Sequence, residues 1–331
     1  MAIEQMATAV HYQQFDPGLF WTKDSDIAID SSGPLDADRT LIPNVLRVDG
    51  GYRMYYHGCG PERPQPGSKG YILSAFSTDA AHWQKEPGVR LDAGGAGAAD
   101  YIWSPEVIPL PAGGYRMYVE GRTEQADGGA QAAIVSATSA DGLVWEREQG
   151  VRLGDGQTSY GAPRCLYLDG GGPRYRLYAS ASPFPDGAPY AGAYNDHHIV
   201  SAVSDDGLHF ELEDGVRVAQ DRDLEAFSVY APEVLRLAAG GYRMYYAGWL
   251  AAPEVAAGSK YHGRIFSAFS DDGVDWRKDP DICIDNGGRW DAVKASEPCV
   301  IDLPDGRYRM FYEACDETGR WRIASATSGA V

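Results

Sequence analysis

Three glutamates stand next to prolines in this chain: Glu106 follows Pro105, Glu233 follows Pro232 and Glu297 precedes Pro298. Two carboxyl groups facing one substrate can divide acid and base roles between them when their surroundings push their pKa values apart. Glu233 and Glu297 form the expected acid/base pair, with Glu106 orienting the ligand or joining the proton transfer. Asn44 and Arg164 also directly follow a proline, and Arg164 suits an anionic or electron-rich group. Trp103 and Tyr230 offer aromatic faces, Tyr160 and Asp38 add polar contacts, and Arg39 or Lys294 could hold a carboxylate or phosphate. These residue types together suit a polar organic ligand.

Positioning them requires elements that bring residues distant in sequence to one place, and the chain repeats such an element. The stretch Gly51-Tyr52-Arg53-Met54-Tyr55-Tyr56 returns in variant form with anchors at Tyr115, Tyr175, Tyr242 and Tyr308, 60 to 67 residues apart. Each copy follows a proline-led apolar run, PNVLRV, PEVIPL, PRCLYL, PEVLRL or PCVIDL, read as a first strand with proline at its start. A third strand ends at Ser77, Ser139, Ser204, Ser270 or Ser328, and the first four copies turn through Asp into a fourth. Repeats of this length predict the blades of a propeller.

The fifth copy stops before its fourth strand, while the N-terminal FDPGLFWTKDSDIAID resembles SDDGVDWRKDPDICID at 270–285. The expected fold is therefore all-β, a single five-bladed β-propeller spanning 1–331 with four antiparallel strands per blade. Residues 15–30 would complete the last blade, and first strands would begin near 43, 105, 163, 232 and 298. Met54, Met117, Met244 and Met310 alternate with tyrosines and are expected to pack between blades. Trp83, Trp145 and Trp276, with Asp79, Asp141 and Asp272, suit hairpin closure. The residues ending the second strands, His57, Glu120, Arg122, Ser180, Ser182, Trp249 and Glu313, are expected at the opposite end of the channel from the first-strand starts.

With Trp103-Ser104-Pro105-Glu106-Val107, the YRMYY strands and the DGxxW turns, the chain resembles the five-bladed superfamily of arabinanases, xylosidases, invertases and levansucrases. The resemblance covers nearly the whole chain. It implies a substrate pocket on the central axis and glycosidic chemistry by carboxylates. In arabinanase-like members aspartates precede the first-blade and third-blade prolines, and a glutamate lies two residues before the fourth. Here those positions hold Ile42, Ala162 and Tyr230, so the resemblance does not extend to the usual catalytic set. A rearranged axial site, acting by acid/base chemistry on a sugar or polar metabolite, is the leading reading. A non-catalytic binder of carbohydrate or another small molecule is the alternative, and an interaction hub with a broad apolar face is a third.

The formal charge of −18, from 47 acidic and 29 basic residues, disfavours nucleic acid and anionic membranes as partners. The N-terminal residues lack a basic segment followed by an apolar core, so an unexported, cytoplasmic protein is expected. Five cysteines without CxxC spacing signal neither a disulfide framework nor zinc. The adjacent His197 and His198 would point to opposite faces of a strand, so no metal or other cofactor is expected. The expected partner is a small molecule in the axial pocket.

Overall fold

Alternation of aromatic, Met and β-branched residues favours pleated strands with a buried face, and Gly51–Cys59 follows it, with Tyr52, Met54 and Tyr56 inside. Met54, Met117, Met244 and Met310 are all fully buried, in packing positions. A computed structural model describes residues 13–62, 64, 70–93, 99–124, 130–168, 172–183, 197–251 and 261–328. The expected span of 1–331 thus includes residues outside the described ones.

The described residues form an all-β, propeller-like fold, with one short 3-10 turn at Asp223–Glu225. In repeat one, Arg39–Val48, Gly51–Cys59, Tyr71–Ser77 and Gln84–Lys85 pair antiparallel in chain order. Repeats two, three and four pair in the same order, from first strands Tyr101–Pro109, Thr158–Tyr167 and Ser228–Arg236. In repeat five, Lys294–Asp302, Tyr308–Cys315 and Trp321–Ser328 are followed by Trp21–Lys23, with Trp21 opposite Ser328 and Lys23 opposite Ala326. Repeats four and five share a sheet only through one parallel bridge, Gly263 to Lys294. The first strands of successive repeats lie side by side, and that of repeat five lies beside that of repeat one. They surround a central space.

Side-chain ties repeat with the strands. Glu86, Glu148, Glu213 and Asp279, each just past a fourth strand, join a second-strand arginine and a third-strand serine. Asp24 does this in repeat five, bonding Ser325 at 2.7 Å and pairing with Arg309 at 3.3 Å. The turn aspartates Asp79, Asp141 and Asp272 each accept two backbone N–H bonds, which closes the hairpins.

The first strands begin earlier than 43, 105, 163, 232 and 298, at Arg39, Tyr101, Thr158, Ser228 and Lys294. Proline therefore lies inside each strand. It is tolerated because every ladder shifts register there, for example between Leu41 and Asn44, so the missing N–H breaks no bond. The residue before each proline, Ile42, Ser104, Ala162, Ala231 or Glu297, has a positive φ between 46° and 53°. This left-handed conformation is unfavourable for residues other than glycine, and its recurrence at five equivalent bulges places one side chain per repeat at the same level of the central space.

Candidate functional site

The bulges divide the proline-flanking residues into two groups. Residues just after proline form a ring that links the repeats. Asn44 Oδ1 accepts from Val107 N at 3.0 Å, Glu106 Oε1 from Cys165 N at 3.0 Å, Glu233 Oε1 from Val300 N at 2.8 Å, and Cys299 Sγ from Val45 N at 3.2 Å. Arg164, which cannot accept, instead donates Nε to Glu233 at 2.8 Å and its terminal nitrogens to the carbonyls of Pro43, Pro163 and Pro298. The remaining Glu106 oxygen accepts from Asn44 Nδ2 at 2.6 Å. Burial raises the Glu106 carboxyl to about 8 against the pull of Arg164, and burial raises Glu233 as well. This ring floors a cavity of about 290 Å³ that runs toward the far ends of the first strands. The same backbone N–H is bound by glutamate, asparagine and cysteine alike, so this position serves to join neighbouring repeats.

The second group lies on the strand-start side, and none of its members lines that cavity. Glu297 is buried at 3% exposure, its Oε2 has no hydrogen-bond partner, and its φ is 47°. Lys294 Nζ lies 3.1 Å from Glu313 and 3.7 Å from Glu297. Two carboxyls thus share one ammonium, and Glu297, the more distant, keeps its proton: burial and the Glu313 charge raise it to about 8. Burial pulls the Lys294 ammonium down, but Glu297 and Glu313 more than offset this and hold it charged. The ammonium also lies 4.2 Å from the centre of the Trp249 ring and 5.2 Å from that of Trp321.

Next to this cluster, Glu120 Oε1 pairs with Arg122 at 2.5 Å, and its Oε2 accepts from Tyr230 OH at 3.0 Å and Ala162 N at 3.1 Å. Burial raises the Tyr230 hydroxyl, reinforced by Glu120 and, less strongly, by Glu297, so Tyr230 lies within the field of both carboxyls. His57 stacks on Trp103 with centroids 4.1 Å apart; burial, aided by Arg39 and Arg122, lowers it to about 3 and leaves it neutral. His197 is buried against Tyr230 and shares a contact with Ser228 Oγ at 3.1 Å.

Of the residues expected in the site, Glu297, Lys294, Tyr230, Trp103 and Arg39 thus lie on the strand-start side. Asn44, Glu106, Arg164 and Glu233 lie across the proline level from them. Tyr160 packs in the core between repeats two and three with its hydroxyl on Asp155, and Asp38 is exposed at the rim. The ends of the second strands do not lie at the opposite end of the channel. Because the partner strand runs antiparallel, its end meets the start of the first: His57 faces Leu41, Glu120 faces Trp103, Ser180 faces Gly161 and Glu313 faces Ser296. Glu120, Arg122 and Glu313 therefore join the site from positions that the antiparallel rule alone locates. Trp321 joins it without a repeated motif to mark it.

No family model matches the chain. An uncharacterized protein of Mycobacterium tuberculosis strain H37Rv is 34% identical over 118 residues, which is 35% of this chain and 35% of that protein; a counterpart from strain CDC 1551 matches equally. The match therefore spans about a third of those relatives' length. Among solved structures, a glycoside hydrolase aligns at TM-score 0.71 and 17% identity over 94% of this chain and 93% of its own. A thermostable family-43 glycoside hydrolase aligns at 0.64 and 19% over 89% and 90%. A β-1,2-mannobiose phosphorylase from Listeria innocua, in complex with β-1,2-mannobiose, aligns at 0.67 and 12% over 93% and 96%. The likeness shows a propeller-like fold shared with these carbohydrate-active enzymes.

Proposed function

We propose that the five repeats are five propeller blades around one axial site, and that the chain acts on a sugar or glycoside there, with Glu297 as general acid. The observation that carries this reading is Glu297 itself: a carboxyl that is buried, held at a left-handed bulge beside Lys294 and Glu313, with one oxygen that meets no hydrogen-bond partner; burial and the Glu313 charge raise its pKa. An acid that keeps its proton to about pH 8 can protonate the oxygen of a breaking glycosidic bond at neutral pH. Glu120, as a carboxylate ion-paired with Arg122, supplies negative charge toward the cationic sugar carbon that develops as the bond breaks. Water then bonds to that carbon, and the proton it gives up restores Glu297 to its acid form through solvent. Trp103, Tyr230 and Trp249 wall this cluster, Trp103 against His57 and Trp249 against Lys294 and Tyr230.

Binding without turnover is the second reading. It is favoured by Ile42, Ser104, Ala162 and Ala231, which put no ionisable group at the other four bulges. Incubating the protein with a panel of glycosides and oligosaccharides, followed by mass spectrometry, separates the two. Product formation by the parent that is lost in Glu297→Gln supports the enzyme. Saturable binding with no product from any substrate removes the acid role and leaves the binder.

A further inference from the structure

Around Ile42 the polar groups without partners are weighted toward donors. The indole N–H groups of Trp103 and Trp321, both packed in the cluster containing Ile42, meet no acceptor. The Arg39 guanidinium is exposed at the rim and meets no carboxylate among the described residues, while its charge reaches His57 and Cys315. Glu297 Oε2 also has no partner, and its carboxyl is linked to Trp321 through Lys294, which lies near both. The neutral, fully buried His57 contributes one N–H and one acceptor nitrogen.

A sugar hydroxyl both donates and accepts, so in such surroundings its own proton finds few partners. A carboxylate or phosphate oxygen only accepts. The balance of charge agrees. Lys294 is committed to Glu313 and Glu297, Arg122 to Glu120, and Arg164 to the ring across the prolines. Of the four cations Lys294, Arg122, Arg164 and Arg39, Arg39 is the one that meets no carboxylate among the described residues. Asp38, its chain neighbour in the bend before the strand, makes no ion pair with it.

We propose that the ligand is an acidic sugar, carrying a carboxylate or phosphate that is received by Arg39, Trp103 and Trp321 over Ile42. This rests on the reading of the strand-start side as the substrate site. Arginine presents a planar fork that can bind either anion through two parallel bonds, and the two indoles would fix its depth.

The test is calorimetric titration of the full chain with methyl glucuronoside, glucose 6-phosphate, methyl glucoside and inorganic phosphate. The titrations are repeated on Arg39→Gln, Glu297→Gln and Trp249→Ala, each checked for an unchanged melting transition. At least one acidic sugar is expected to bind about tenfold or more tighter than methyl glucoside, a difference of one step in affinity. That margin should vanish in Arg39→Gln and persist in Glu297→Gln. Whether glucuronoside or sugar phosphate binds better identifies the anion, and inorganic phosphate binding alone would overturn the acidic sugar. Equal affinity for acidic and neutral sugars overturns the proposal; if Trp249→Ala then abolishes binding, the site reading stands. An acidic-sugar preference that survives both Arg39→Gln and Trp249→Ala overturns the proposal and the site reading together.

Discussion

A carboxyl group that keeps its proton above neutral pH has consequences for rate and for stability, and Glu297 should display both. As the acid, it is competent below about pH 8, so turnover should fall as pH rises through that value. Glu297→Gln retains size and hydrogen bonding but cannot transfer a proton; turnover should drop by roughly 10²–10⁴ while ligand affinity persists. A melting-corrected rate that stays near the parent's would exclude Glu297 from proton transfer. For stability, the folded state holds a proton that the unfolded chain releases near the ordinary carboxyl value of 4.5, so the folded state binds more protons between 4.5 and about 8. Stability from this group is full below about 4.5 and is lost as pH rises through about 8. Thermal unfolding of Glu297→Gln should therefore vary less with pH across that window than the parent, and an identical dependence would mean that the carboxyl does not hold its proton there.

The first strand is the element that carries both groups of candidate residues, and its bulge decides which side of the prolines each faces. From sequence, the positions before and after proline merge into one axial set, because a strand without irregularity gives no reason to separate Glu297 from Glu233. The bulge and the positive φ are invisible in composition, since Ile42, Ser104, Ala162, Ala231 and Glu297 share no residue type that favours a left-handed backbone. The repeat itself was legible because Tyr, Met and Asp recur where packing and turns require them; the site was only half legible because its remaining members, Glu120 and Glu313, come from strands whose ends vary. The same reasoning makes Arg164 a structural tie. Arg164→Ala would leave Glu106 and Glu233 buried without their cation, and breaking a buried pair in this way costs about 3–5 kcal/mol. Denaturant titration should register that loss while the affinity of any ligand on the strand-start side is kept in the folded fraction. A fully stable Arg164→Ala chain with abolished binding would reverse the assignment of the two sides.

On the scale of the whole molecule, residues 21–24 join the two ends of the chain by pairing with its last strand. The tie at Asp24 is the clearest measure of that junction, because four other repeats contain the same arrangement within continuous sequence. Glu86, Glu148, Glu213 and Asp279 each bond a serine on the third strand and an arginine on the second; Asp24 reaches Ser325 and Arg309 across nearly the whole length of the chain. Tyr245 OH reinforces it by donating to Gly18 O at 2.7 Å, as Tyr55, Tyr118 and Tyr178 donate to the turn glycines Gly142, Gly207 and Gly273. If the N-terminal strand is as firmly seated as the strands it imitates, Asp24→Ala should cost about as much as Glu86→Ala, on the order of 1–3 kcal/mol for leaving a partly buried arginine and serine without their acceptor. If instead that strand frays from the edge of Trp321–Ser328, the partners of Asp24 are already solvated for much of the time, and its removal should cost well under the value for Glu86. Deleting residues 1–24 extends the comparison, since it exposes the backbone of Trp321–Ser328 along an open edge. That chain should lose its cooperative unfolding transition and associate through the bared strand; a monomer melting cooperatively at the parent temperature would show that closure by the N-terminal strand contributes nothing to the fold.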